Sequence, residues 1–77
     1  MIFGQYAIRD TKTETFAPPF ISHNNASAIR SFQDLANDPN TSVYKHPGDY
    51  ALIRVGTWDD DLGVSTQEDH TNLPCGS

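Results

Sequence analysis

The sequence has little of what a small chain normally uses to hold itself together. Its single cysteine, Cys75, has no partner within the chain, so an internal disulfide and a cysteine-rich zinc site are both excluded. A chain without disulfides suits a reducing compartment. No apolar run approaches the ~18 residues that a membrane span needs. The opening residues Met1-Ile2-Phe3-Gly4-Gln5-Tyr6 carry no basic region and no small-residue cleavage site, so a signal peptide is not expected. The five glycines are scattered, and none forms a phosphate-cradling loop. These absences predict a soluble, intracellular protein that does not meet a membrane.

What is present is enough for one domain. The chain has 77 residues, of which 36% are hydrophobic and 10% aromatic, so its core must be thin. Domains this small bury a modest share of their surface and usually rely on a staple or a second subunit. With no staple in view, a homo-oligomer is expected, most simply a dimer. Charge is divided unevenly along the chain. Residues 1–57 balance Arg9, Lys12, Arg30, Lys45 and Arg54 against Asp10, Glu14, Asp34, Asp38 and Asp49. Residues 58–77 contain only acids, Asp59, Asp60, Asp61, Glu68 and Asp69, and carry the whole net charge of −5. Such asymmetry often marks an interaction tail. It also argues against a broad, non-specific grip on nucleic acid, which needs a basic surface.

Periodicity predicts a small α+β fold in the order β-β-α-β, with a further short strand and an acidic, flexible C-terminal tail. Ile2 to Arg9 alternates as a strand. Phe16 to Ser22 is extended but broken by Pro18-Pro19, which confines it to a sheet edge. A helix is expected from about Asn25 to Ala36, capped by Asn24 or Asn25, with Ala28, Ile29, Phe32, Leu35 and Ala36 on one stripe. Asn37-Asp38-Pro39-Asn40 ends it, and a polar loop to Gly48 follows. Tyr50 to Trp58 alternates as a second strong strand, with Ala51, Ile53 and Val55 expected to face the helix. Asp59 to Gly63 reads as a turn, and Val64-Ser65-Thr66 as a short returning strand. The expected division is a single domain over residues 1–66 and a flexible tail over residues 67–77.

Little in this layout supports catalysis. His23, His46 and His70 stand in separate segments without partners at ligand spacing, and Cys75 has no identifiable base. Asp59-Asp60-Asp61-Leu62-Gly63 fails as an EF-hand loop, because Val64 and His70 occupy its sixth and twelfth positions where glycine and glutamate are needed. A turn with solvated carboxylates is the simpler reading. The protein is therefore read as no enzyme, with no metal and no cofactor. The more informative pattern is on the strands. With the helix on the Ile53 side, the opposite face would carry Phe3, Arg9, Tyr50, Leu52, Arg54 and Trp58. Aromatics interleaved with arginines on a sheet can stack single-stranded bases and hold phosphates. The same face could instead be buried against another copy of the chain, since an uncovered apolar face is unusual on a monomer.

The segment Asn24–Asn40, NNASAIRSFQDLANDPN, is followed by Tyr44-Lys45-His46-Pro47, Asp49-Tyr50-Ala51-Leu52 and Val55-Gly56-Thr57-Trp58-Asp59-Asp60 with Gly63. Together these resemble the small nonstructural protein of gokushoviruses, single-stranded DNA phages of the microvirus group. The similarity covers residues 2 to 64 and lies in the order and spacing of the pieces. It implies a nonstructural product made in the host cytoplasm and linked to viral DNA synthesis or packaging, with no catalytic residues to carry over. The expected function is thus a non-enzymatic phage accessory protein in single-stranded DNA synthesis or genome packaging. It would act through self-association and single-strand contacts, its partners being single-stranded DNA or a phage replication or packaging protein. The alternative is an adaptor that recruits a host or phage protein and never touches nucleic acid. The acidic tail could screen the sheet face until DNA or a protein displaces it.

Overall fold

The computed structural model describes residues 1–73. Its centre is a long antiparallel pair. Strand β1 (Ile2–Asp10) runs beside β4 (Tyr50–Asp59), from Ile2 opposite Asp59 to Asp10 opposite Tyr50. The other edge of β1 is covered by two short strands, β2 (Thr15–Phe16) and β3 (Phe20–Ser22). These are one extended passage interrupted at Pro18-Pro19, where no backbone N–H is available to continue the ladder. Ala17 still donates to the Ile8 carbonyl at 2.8 Å. The expected edge position of this segment is therefore the observed one. Strand β5 (Val64–Asn72) pairs with β4, and the order across the sheet is β2-β1-β4-β5, with β3 on β1 beside β2.

Helix α1 (Asn25–Ala36) has the expected limits. The Asn24 side chain accepts from the Ser27 N–H at 2.8 Å, satisfying one of the free donors of the first turn. At the other end Thr41 Oγ1 donates to the Leu35 carbonyl at 2.6 Å, while its backbone N–H reaches Asp38. The same hydroxyl accepts from the Tyr44 N–H and caps a second, four-residue helix, α2 (Ser42–Lys45). The sequence reading had a polar loop here. What makes α2 useful is Val43, 7% exposed, which enters the core.

The core joins Tyr6, Ala28, Phe32, Val43 and Leu52, ringed by Ile8, Phe20, Ile29, Leu35, Ala36, Tyr50 and Leu73. The α1 stripe packs as periodicity predicted. The side of β4 on which it packs does not. The helix covers the face bearing Leu52, and the expected Ile53 side is the opposite one. Both faces of β4 carry apolar residues, so alternation alone is undecided. The pairing with β1 decides it, because Tyr6 and Ile8 lie opposite Arg54 and Leu52. A bulge then intervenes: between Tyr6–Arg54 and Gln5–Gly56, β1 advances one residue while β4 advances two. One extra residue reverses which face every later side chain takes. Beyond Val55, Trp58 therefore joins the face of Ile53 and Phe3.

The expected end of the domain at Thr66 also moves. β5 continues to Asn72, and the Leu73 N–H donates to the Leu52 carbonyl at 3.0 Å. Residues 67–72 are thus part of the sheet; residues 74–77 of the expected tail lie outside the described residues. The strand is interrupted midway, since Gly56 pairs with Gln67 but Arg54 pairs with Thr71. Glu68, Asp69 and His70 bulge out opposite Val55, an irregularity that blunts an edge strand against further pairing. No helix among the described residues is long and apolar enough to cross a membrane.

Candidate functional site

The face away from α1 is a trough. β2 and β5 lie at opposite ends of the strand order, yet the rings of Phe16 and His70 have centroids 5.4 Å apart in an edge-on contact. A flat sheet could not bring them together, so the sheet is strongly curled about this face. Ala7 and Ile53, at 3% and 4% exposure, form its buried floor without any helix above them. Phe3 and Trp58 stand opposite one another at one end. The His23 ring lies 5.1 Å from Phe3. At the other end the Arg9 guanidinium lies 5.8 Å from the centre of the Phe16 ring. Between them Ser65 Oγ and Gln5 Oε1 are 2.5 Å apart, joining β5 to β1 across the trough.

The six residues that alternation grouped on one face are divided between two. Phe3, Arg9 and Trp58 are brought together in the trough. Tyr50, Leu52 and Arg54 lie on the helix side, Leu52 being 1% exposed in the core. The β1–β4 register puts Arg9 on the Ile53 face and Tyr50, Leu52 and Arg54 on the other, and the bulge at Val55 brings Trp58 to the side of Phe3 and Arg9. Arg54 is engaged structurally: its Nη1 donates to Asn25 Oδ1 at 2.8 Å, and its Nε donates to Glu68 Oε1 at 3.2 Å. The Tyr6 hydroxyl donates to the same Asn25 oxygen at 2.7 Å, so one amide ties the first residue of α1 to two strands. Burial pushes the Tyr6 phenol above its ordinary pKa, and the nearby Arg54 charge partly opposes this.

The acidic residues do not enter the trough as a group. Glu68 turns to Arg54 on the helix side. Asp60 and Asp61 lie 2.7 and 2.6 Å from the Met1 ammonium, and Asp59 lies 4.0 Å from it. Asp59 also accepts from the Asp61 N–H at 2.9 Å, which makes the segment a hydrogen-bonded turn closed by Gly63 in the left-handed region at φ 64°. The sequence reading missed Phe16, His70 and Asn72 as trough residues. Phe16 had only a two-residue strand to signal it, and His70 fell in the presumed tail. No local pattern foretells a contact made by curling.

The fold and the trough define a small α+β protein with one main helix and an aromatic–arginine sheet face. The chain belongs to the Phage ORF5 protein family, whose model matches residues 3–75. No curated protein and no solved structure matches it.

Proposed function

We propose that this phage accessory protein acts without catalysis in the synthesis or packaging of viral single-stranded DNA. It self-associates and holds the strand in the trough. The observation that carries this reading is the gathering of Phe3, Phe16, Trp58 and Arg9 on one curled face that α1 leaves uncovered. Aromatic rings stack bases with little regard for sequence, and an arginine among them adds phosphate and cation–π contacts. The phage family supports the setting, and the resemblance to gokushovirus nonstructural proteins supports the genome type. The overall charge of −5 opposes a general attraction to DNA, so the grip must be local and of moderate strength.

Self-association belongs to another part of the surface. Ile2, Leu62 and Val64 are 57%, 74% and 49% exposed, and Ile2 and Val64 flank Asp59 in the sheet register. They give exposed apolar surface beside the acidic β4–β5 turn, away from the Arg9 end of the trough. This surface also supports a second reading, an adaptor that presents it to a host or phage protein.

Binding of a fluorescent oligothymidylate, followed by anisotropy across a salt series, separates the two. The DNA reading expects an affinity that falls linearly in log salt, and a loss of about fivefold or more for Trp58→Ala, the size of one lost base stack. An absence of DNA binding at low salt would overturn it and leave the adaptor.

A further inference from the structure

The Arg9 end of the trough contains a defined hollow of about 300 Å³, lined by Arg9, Phe16, Ile53, His70 and Asn72. We infer that it is a subsite for one nucleotide unit, with the phosphate on the Arg9 guanidinium and the base against the touching Phe16 and His70 rings. This inference rests on the single-strand reading and says where along the trough a strand is gripped.

Three observations carry it. The first is electrostatic: among the described residues Arg9 is the only charged one lining the hollow, in a chain with twice as many acids as bases. Among the described residues no carboxylate lines the hollow. The second is an unmet hydrogen bond. Arg9 Nε is closed off from solvent and has no acceptor among the described residues. A buried donor left unpaired is costly, and such groups are few in folded proteins. Its guanidinium lies over Phe16, which holds the fork in place but offers no acceptor. Because Nε is closed off, an incoming anion would meet the accessible part of this half-buried side chain first, and a phosphate oxygen is the acceptor that a guanidinium fits best. The third is shape and chemistry together. The Phe16 and His70 rings meet at the two closing edges of the curled sheet, Ile53 provides an apolar floor, and the Asn72 amide offers a donor and an acceptor. Apolar walls with a few polar groups are what a ligand site of the smallest size requires. A volume of about 300 Å³ suits one nucleotide unit and is too small for a longer piece of strand.

The test uses the full chain with three probes, thymidine 5′-monophosphate, thymidine and inorganic phosphate, each followed by NMR shift mapping. The oligothymidylate is followed in parallel by anisotropy. The monophosphate should shift the amides of Arg9, Phe16, His70 and Asn72, with thymidine and phosphate each binding about tenfold more weakly. Arg9→Gln should weaken the monophosphate about tenfold or more, and Arg9→Lys should restore only part, because it keeps the charge but loses the fork. Arg9→Gln should also make the salt slope for the oligothymidylate shallower by about 0.7, the loss of one phosphate contact on a single strand. Trp58→Ala should weaken the oligothymidylate but leave the monophosphate unchanged, because Trp58 lies at the far end of the trough. Far-ultraviolet circular dichroism melts establish that each variant folds.

The outcomes separate the two claims. Oligothymidylate binding that is indifferent to Arg9→Gln and Phe16→Leu overturns the subsite and leaves the trough reading standing. Monophosphate binding at the hollow without oligothymidylate binding keeps the subsite and overturns the strand-binding function. Phosphate that binds as tightly as the monophosphate overturns the nucleotide assignment, because the base then contributes nothing. No shift with any probe overturns the subsite outright.

Discussion

At the scale of single residues, the most connected side chain is Tyr6. It is 0% exposed, donates to Asn25 and lies under Arg54, whose guanidinium carbon is 5.7 Å from its ring centre. Tyr6→Phe should cost on the order of 1–2 kcal/mol, because Arg54 still supplies Asn25 Oδ1 with one donor. It should also alter the alkaline limb of stability. The folded phenol titrates above its ordinary value of 10.0, so its contribution is complete below that pH and is lost as pH rises through the folded pKa. The Met1 ammonium, raised from 8.0 by its Asp60 and Asp61 hydrogen bonds, acts in the same direction from a lower pH, and the variant retains it. Chemical denaturation between pH 8 and 11.5 should therefore show a smaller decline above pH 10 for Tyr6→Phe than for the parent. Gly56 is the second sensitive residue, for reasons of space. A methyl group there would run into the backbone carbonyl of Thr66, which cannot withdraw without opening the β4–β5 ladder. Gly56→Ala should destabilise by about 1–3 kcal/mol, a fall of several degrees in Tm for a chain of this size.

Among the elements, β5 is the one whose role differs most from its sequence. Its residues are polar and exposed, and alone it shows no reason to be ordered. It is held by its ladder to β4, by the Arg54–Glu68 pair, by Ser65 to Gln5 and by Leu73 against the core. An exposed ion pair of this kind contributes little, so the ladder and Leu73 must supply most of the stability. Removal of residues 67–77 should therefore lower Tm, with a loss of at least about 1 kcal/mol from exposing the apolar surface that Leu73 covers. A thermal melt that matches the full chain would mean that the domain ends at Thr66 after all. The four-residue α2 makes the same point more simply. Its sequence, Ser-Val-Tyr-Lys, is too short to be helical alone, and Val43 gains its place through the Thr41 cap and the core around it.

For the molecule as a whole, the question is what covers its exposed apolar surface. The chain has 77 residues, its described part buries seven hydrophobic residues, and Ile2, Leu62 and Val64 remain in water. Light scattering at micromolar concentration should give a mass of about twice the 8.5 kDa of one chain. Leu62→Glu with Val64→Glu should return it to a single chain without loss of the fold, since neither residue belongs to the core. A single chain for the parent at every concentration would remove self-association from the proposed function. The trough would be unaffected, because its Arg9 end uses none of these residues.

The amino-acid sequence alone determined the elements whose signals are local. Asn24 caps α1 through its own side chain, the Ala28–Phe32 stripe follows from 3.6-residue spacing, and Pro18-Pro19 restricts their segment to an edge wherever the sheet lies. The alternation of Ile2–Arg9 and Tyr50–Trp58 likewise identified the two main strands. Only the tertiary structure decided how those elements face one another. Both faces of β4 are apolar enough to be buried, so the helix side was settled by cross-strand pairing with Tyr6 and Ile8. The bulge at Val55 then carried Trp58 to the face of Phe3 and Arg9 and left Arg54 with Asn25 and Glu68. The curl that joins Phe16 to His70 links residues 54 positions apart. It arises from twist summed across the whole sheet, a quantity that no window of the sequence contains.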